Sequence, residues 1–544
     1  MFRSKHGGLH AFGLEEVADD LHELRLLQRD IFEGFLQFLE GFLRIQKEIA
    51  GYPYLLNLPG GGLKFHLNYP LGCLELGSHF SAGSLRKKSE TFVRIVIAGC
   101  GAAGLTAASY ARRTNPDAEI IIAEGGRFPA YSRCGLPLLL SGEVKKPEDL
   151  LFASPDWYRL NRLELLLQSP VEEVEAGAKK VRLGGSNPQE IHYDSLILCT
   201  GSLPVIPSVP GVDLENVFVL RSLEDAIKIS EAMESHRSAV IVGAGAIGLE
   251  VASALNQRGL EVRVVERFPQ VLEGWLDPEM SREVEEHLAK KGIHLLLNSP
   301  LEAVEGSGKV EGVVAGGKHL ACGLAIVAVG TRPQIELAQR IGLKIDEQTR
   351  GILVNERMET SREGIYAAGD CAVAPSHFGG AVSSQLGTTA VRQGRVAGIN
   401  AAGGSAIFPP LVGNLVCRLP GLEIASTGLT ERRAGRLGIE CVSVSAEMDC
   451  RPRYSPEKLR LRIKLISARD GRLIGGQIIG PAEAQLRAQM LSSLIASGKD
   501  VGWLASMETG YHPLTGEAVE PLCALSEVLL RKLQRIHKTL QTRH

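Results

Sequence analysis

Of the ten cysteines in this 544-residue chain, one sits where the neighbouring residues suggest chemistry. Cys134 lies in Tyr131-Ser-Arg-Cys-Gly-Leu-Pro137, with a guanidinium beside it and a proline three residues on. Pro137 suits the first turn of a helix. A helix N-terminus and an adjacent cation both favour thiolate, so the segment predicts a thiol pKa below the ordinary cysteine value. A thiolate exchanges with disulfides and persulfides, or is oxidised to a sulfenic acid. Cys199, Cys322 and Cys417 read as small packing residues. No CxxC pair and no zinc-ligand spacing occurs.

Two glycine motifs supply a second kind of chemistry. In the first, a strand from Ile95 to Ala98 runs into Gly99-x-Gly101-x-x-Gly104 and an Ala-rich helix, and the next strand, Glu119 to Ala123, ends at Glu124. In the second, Ala239-Val-Ile-Val leads to Gly243-x-Gly245-x-x-Gly248, and the strand Glu261 to Val265 ends at Glu266. The first glycine permits a tight turn, the second admits a pyrophosphate, the third allows helix and strand to pack, and the acid meets a ribose. The phosphates would lie at the helix N-terminus. Two complete copies predict two bound dinucleotides. Glu266 would accept from a 2′-hydroxyl and repel a 2′-phosphate, which favours NADH, while the adjacent Arg267 leaves NADPH possible.

Three further segments belong with these. Ile365-Tyr-Ala-Ala-Gly-Asp370 puts Asp370 in a Gly-rich loop, and buried strands end at Thr200-Gly201 and at Gly330. Together with the two motifs, they resemble the pyridine nucleotide-disulfide oxidoreductases, flavoproteins with two dinucleotide-binding domains, over about residues 93–530. The resemblance implies FAD at Gly99, Gly101, Gly104, Glu124, Thr200 and Gly201, with Asp370 on the ribityl chain. It implies NAD(P)H at Gly243, Gly245, Gly248, Glu266 and Gly330. Gly387-Thr-Thr-Ala-Val-Arg-Gln-Gly394 looks like the family helix aimed at the flavin, which adds Thr388 to the flavin set.

Within that family Cys134 resembles the single cysteine of coenzyme A-disulfide reductases, NADH oxidases and persulfide reductases, since Leu139 stands where two-cysteine members carry their second thiol. Ala102 stands where oxygen- and peroxide-reducing members carry a histidine. Near the C-terminus, Tyr511 matches the tyrosine that reaches the partner subunit's active site in single-cysteine members. His512-Pro513 with Glu517 resembles the acid/base histidine and orienting glutamate of two-cysteine reductases, although Thr515 lies one position late. A proton for the departing thiolate would come from that histidine. Leu422 departs from the coenzyme A-disulfide reductase pattern, which has a tyrosine there, and no rhodanese-like domain follows. The implied activity is NAD(P)H-dependent reduction of a small disulfide or persulfide by a homodimer. The alternatives are an NADH oxidase with oxygen as acceptor, and an electron-transfer subunit that docks a protein.

The positioning elements follow from pattern. From Thr91 onward, β-branched runs alternate with Ala/Gly-rich helical segments, the signature of parallel α/β layers. The expected architecture is two Rossmann-like domains plus an α+β C-terminal dimerisation domain. Its parts are FAD-binding residues 91–205 and 336–408, NAD(P)H-binding residues 206–335, interface residues 409–536 and a tail, 537–544. Residues 1–90 read as an added helical extension, because nine of the 15 phenylalanines fall in the first 92 residues. Val17, Leu21, Leu24, Ile31, Phe35, Phe38, Phe42 and Ile45 recur at helical spacing over 14–50, a face for the core, a dimer partner or another protein. With 60 Lys+Arg against 62 Asp+Glu, net −2, nothing points to nucleic acid or an anionic membrane. No apolar run reaches membrane-spanning length and the N-terminus lacks a secretory core, so a cytoplasmic enzyme is expected.

Overall fold

The computed structural model describes residues 56–57, 64–65 and 93–541. The helix expected over 14–50 lies outside the described residues. Leu56–Asn57 pairs antiparallel with Lys64–Phe65. Residues 153–162 carry the short helix Pro155–Leu160, capped by Ser154, whose side chain accepts from the Trp157 N–H at 3.3 Å.

The body begins with β1 (Arg94–Ala98), α1 (Ala102–Thr114), β2 (Glu119–Ala123), α2 (Leu136–Ser141), β3 (Leu163–Leu166) and β4 (Ser195–Leu198). There follow β5 (Val217–Val219), α3 (Leu223–Ser235), β6 (Ser238–Val242), α4 (Ala246–Gln257), β7 (Glu261–Val265), α5 (Pro278–Lys290), β8 (His294–Leu296) and β9 (Leu324–Val327). The chain then forms β10 (Ile365–Ala367) and α6 (Gly387–Ala401).

The first sheet, in the order β10-β4-β1-β2-β3, is parallel throughout, and so is the second, β5-β9-β6-β7-β8. Parallel strands are covered on both faces, which is why they read as continuous apolar runs: Ile95, Val96 and Ile97 are fully buried, as are Val240 and Ile241. Each sheet has a three-stranded antiparallel sheet inserted in its sequence, residues 171–192 between β3 and β4 and residues 301–321 between β8 and β9. This is the expected α/β class with its internal duplication.

The remainder forms β11 (Asn414–Leu419), β12 (Leu422–Gly428), β13 (Cys441–Asp449), β14 (Arg460–Ala468), β15 (Leu473–Gly480), α7 (Ala484–Ala496) and α8 (Pro521–Gln541). Its sheet is antiparallel, ordered β11-β12-β15-β14-β13. Leu491 and Ile495 of α7 and Leu522 and Leu529 of α8 share its core with Leu461, Ile463 and Leu465. No helix among the described residues is long and apolar enough to cross a membrane.

One helix contact aims the site. A Cβ on Gly394 would lie 2.3 Å from the Ala103 carbonyl oxygen, and one on Gly398 would lie 2.2 Å from that of Ala107. Only glycine lets α6 cross α1 backbone to backbone. The crossing brings the start of α6 toward the loop that opens α1.

Candidate active site

The two glycine loops are built on one plan. Gly99 and Gly243 both sit at φ +107, where a Cβ would strike the carbonyl oxygen of Cys199 at 2.3 Å and of Ala328 at 2.5 Å. A Cβ on Gly104 or Gly248 would strike the oxygen of the loop's first glycine, at 1.9 and 2.0 Å. The middle glycines face open space: Gly245 has no neighbour within 4 Å, and Gly101 meets only the Arg133 guanidinium at 3.8 Å. Neither α1 nor α4 has a side-chain cap, so their first N–H groups are available to an anion.

The acids are also held alike. Glu124 accepts from the N–H of Cys100 at 2.6 Å and of Gly126 at 2.7 Å. Glu266 accepts from the N–H of Ala244 at 2.7 Å and of Phe268 at 3.0 Å. Each carboxylate is fixed at the mouth of its loop. Closed outer glycines, an open middle glycine, an uncapped helix and a fixed acid fit a dinucleotide pyrophosphate and ribose at both places.

Beyond the first loop the structure assembles residues far apart in sequence. Asp370 Oδ2 accepts from Ser202 Oγ at 2.8 Å and from Arg221 Nη2 at 3.1 Å, and Arg221 Nε donates to the Ser202 carbonyl at 3.0 Å. Thr200 Oγ1 donates to the Gln334 carbonyl at 2.7 Å. Gly369 N–H donates to Gln393 Oε1 at 2.9 Å, which ties the Asp370 loop to α6. Thr388 is exposed in the first turn of α6, which has no side-chain cap. Gly330, at φ +112, faces open space.

Cys134 lies on a single helical turn, Arg133–Gly135, that runs into α2. The turn packs against Leu150, whose Cδ2 would lie 2.4 Å from a Cβ on Gly135. The Cys134 side chain opens onto the cleft, with Sγ 3.9 Å from where a Cβ on Gly387 would stand. The thiol therefore sits at the uncapped start of α6, beside the first dinucleotide loop.

The electrostatics of that thiol correct the sequence expectation. The protein walls around it, then the carboxylates of Glu250 and Asp370, push its pKa up, and Arg221 pulls the other way. Arg133 does not serve it: its Nη1 reaches toward Gly101 and Gly201, 3.8 and 3.5 Å from the positions their Cβ atoms would take. The balance of these groups favours the thiol over the thiolate.

Sequence reasoning missed Arg221, Gln393 and Glu250. Glu250 projects from α4. Burial raises it to about 7, while the Arg418 N–H, 3.5 Å from Oε1, and the Cys417 thiol lower it. It is a carboxyl group poised to hold or release a proton near neutrality. Only its place one turn into the second glycine helix was a sequence-level signal.

The C-terminal residues take other partners. His512 Nδ1 accepts from the Leu514 N–H at 3.3 Å, and its carbonyl accepts from the Thr515 and Gly516 N–H groups at 2.9 and 3.0 Å. No hydrogen bond or ion pair among the described residues joins His512 to Glu517, because the tight turn directs Nδ1 to the backbone. Tyr511 shares a hydrogen bond of 2.8 Å with Tyr454. None of these groups is hydrogen-bonded to Cys134 in the same chain.

The chain belongs to the pyridine nucleotide-disulphide oxidoreductase family, whose model matches residues 93–394; the model of the family's dimerisation domain matches 418–523. It is accordingly an FAD- and NAD(P)H-dependent oxidoreductase, and the dimerisation domain supports a homodimer. It is 40% identical over 447 residues to an NADH oxidase of Methanocaldococcus jannaschii, covering 81% of this chain and 99% of the relative. It is 34% identical to a CoA-dependent NAD(P)H sulfur oxidoreductase of Pyrococcus furiosus, covering 80% and 99%. Among solved structures it resembles an NAD-dependent persulfide reductase from A. fulgidus, at 34% identity and TM-score 0.79, covering 81% and 83%.

Proposed function

We propose that this protein reduces a small disulfide or persulfide with NADH, using Cys134 as its redox thiol. The observation that carries the reading is the place of Cys134 Sγ, at the uncapped start of α6 and beside the first glycine loop. A side chain exposed at that point, on a turn packed against Leu150, suits an attacking or acceptor sulfur. The names of the Pyrococcus relative and of the A. fulgidus structure support the same substrate class.

In this reading Gly99, Gly101, Gly104, Glu124, Thr200, Gly201, Asp370 and Thr388 hold FAD, and Gly243, Gly245, Gly248, Glu266 and Gly330 hold NADH. When bound, FAD relays two electrons between the nicotinamide and the sulfur. Cys134 attacks a disulfide R–S–S–R, forming Cys134–S–S–R and releasing one R–S–H. NADH and a proton then return Cys134 to its thiol and release the second R–S–H and NAD⁺. The proton for the departing sulfur comes from the partner's His512, with the partner's Tyr511 lining the same pocket. Glu517 reaches that histidine only through rearrangement of the turn or through the dimer. Glu250, whose own pKa lies near neutrality, tunes the charge of Cys134 through its field.

The test is an anaerobic NADH titration of the purified flavoprotein, followed in the visible spectrum, with Cys134→Ser beside it. Uptake of about two equivalents per subunit, with a long-wavelength band absent from the variant, is the expected outcome for a flavin plus a redox cysteine. Uptake of about one equivalent by both proteins overturns the reading. The name of the Methanocaldococcus relative favours a second reading, in which oxygen is the acceptor. Sustained oxygen consumption with NADH, unchanged by added disulfides and by Cys134→Ser, would select it.

A further inference from the structure

A short ribbon joins the two dinucleotide clefts. Ser202–Pro204, which leaves Thr200-Gly201, pairs antiparallel with Thr331–Pro333, which leaves Gly330. The Gln334 N–H donates to the Gly201 carbonyl at 2.9 Å, and the Val205 N–H to the Gly330 carbonyl at 3.0 Å. Backbone hydrogen bonds thus hold the two loop ends together. The helix α6, whose first residue Gly387 faces Cys134 Sγ, is tied to this ribbon through a side chain.

That tie is Gln385, two residues before α6. Its Nε2 donates to the Thr331 carbonyl at 2.9 Å, and its Oε1 accepts from Thr331 Oγ1 at 2.5 Å. An amide carries a donor and an acceptor side by side, so one glutamine takes both polar groups of one threonine. Two bonds to one residue fix direction as well as distance. On the other side, the hydroxyls of Ser384 and Thr389 share a hydrogen bond of 2.8 Å, and Thr389 is buried in the first turn of α6. A shift of Thr331 is thereby passed to α6. Gln385 is exposed and Thr331 half-buried. A long side chain ordered at the surface gives up rotamer freedom without burying apolar area, so fold stability accounts poorly for the contact. Placement accounts for it better.

We propose that Gln385 is a positioning residue for hydride transfer: through Thr331 it holds the start of α6 at a fixed spacing from the Gly330 loop. Thr388 on α6 serves the flavin and Gly330 the nicotinamide cofactor, so this spacing sets how squarely the two rings meet. The role rests on the cofactor placement proposed above and is independent of the final acceptor. A hydride passes from NADH, which leaves as NAD⁺, to the flavin, which becomes its reduced anion. Reduction of a disulfide, a persulfide or oxygen comes after that step. Small displacements matter here, since a misplacement of about 1 Å can cost roughly a hundredfold in rate.

The experiment follows flavin reduction by NADH in anaerobic stopped flow, using the holoenzyme and its Gln385→Ala, Thr331→Val and doubly substituted forms. Rates are taken at saturating NADH and per bound flavin. Gln385→Ala should slow reduction about five- to tenfold, the order expected of a loosening by a fraction of an ångström. Thr331→Val, which keeps the carbonyl acceptor, should slow it less. The double variant should be no slower than Gln385→Ala, because both act through one contact. Without NADH, hydrogen exchange at residues 386–390 of the holoenzyme should be faster in Gln385→Ala, with flavin content unchanged. A wild-type rate per bound flavin in Gln385→Ala overturns the role. So do two losses that multiply in the double variant, or unchanged exchange at 386–390. A wild type whose flavin is reduced by NADH but which turns over no disulfide or persulfide sinks the disulfide reading and leaves this role standing. If NADH does not reduce the wild-type flavin, the cofactor placement and the role fall together.

Discussion

Lys464 Nζ lies 3.0 Å from Asp277 Oδ2, and these side chains are 1% and 3% exposed. The lysine comes from β14 of the antiparallel sheet and the aspartate from the residue that opens α5. Glu279 and Glu431 complete the lysine's partners, while the Gln477 side chain and the Glu431 N–H donate to Asp277 at 2.7 and 3.1 Å. Every charge in the cluster is satisfied, and the second parallel-sheet module is thereby latched to the antiparallel sheet.

Removing one partner of such a cluster strands the others. Lys464→Met should therefore destabilise the protein by about 3–5 kcal/mol, because Asp277 is left ionised and buried without its cation. Denaturant unfolding of the two proteins checks this, and a loss under about 1 kcal/mol would mean that water reaches the cluster.

Glu266 should decide which nicotinamide cofactor is preferred. Arg267, the residue that favours a 2′-phosphate, is stacked on Phe268 with Cζ 4.6 Å from the ring centroid. Wild type should prefer NADH, and Glu266→Ala should cut its kcat/KM advantage over NADPH by about tenfold or more, by removing the repulsion and the ribose acceptor. Steady-state rates with the two reductants provide the comparison.

Glu250 makes a pH prediction. Its folded pKa, about 7, lies above the ordinary value of 4.5, so the folded state binds the extra proton. Stability at this group is greatest below pH 4.5 and is lost as pH rises through about 7. The span corresponds to a contribution of order 3 kcal/mol. Glu250→Gln should remove that slope, seen as a flatter dependence of the unfolding midpoint on pH across the same interval.

The crossing of α1 and α6 should tolerate no side chain. Gly398→Val would drive a methyl-bearing carbon into the Ala107 carbonyl, separating the helices and retracting the start of α6. The expected result is a loss of at least about 1–3 kcal/mol and a lower flavin-to-protein absorbance ratio after purification. A fully flavinylated, equally stable variant would show that the crossing has slack.

Much of the dinucleotide machinery was legible because it is local. A strand, three glycines at fixed spacing, a helix and an acid at the end of the next strand are all set within about 30 residues. Arg221, Glu250 and Tyr454 were not legible, since each acquires its partner through tertiary contact: Arg221 meets Asp370 across 149 residues. The same gap explains the reversed thiol pKa at Cys134. Sequence adjacency suggested Arg133 as the controlling charge, yet that side chain turns to the glycine loop, and burial, followed by Glu250 and Asp370, sets the direction. His512 and Glu517 had motif spacing without the contact, because a hydrogen-bonded turn takes up the imidazole first.

The two glycine loops share outer glycines at the same backbone angle and carboxylates fastened by N–H groups at matching positions. What they have in common is a shape suited to adenosine diphosphate, the half that both cofactors share. Discrimination between a flavin and a nicotinamide must then be made at the far ends of the two clefts. In the first, those ends are Asp370, Arg221 and the turn that bears Cys134. A duplicated handle has left the opposite end of each cleft free to diverge, and that is where the specificity of this chain is written.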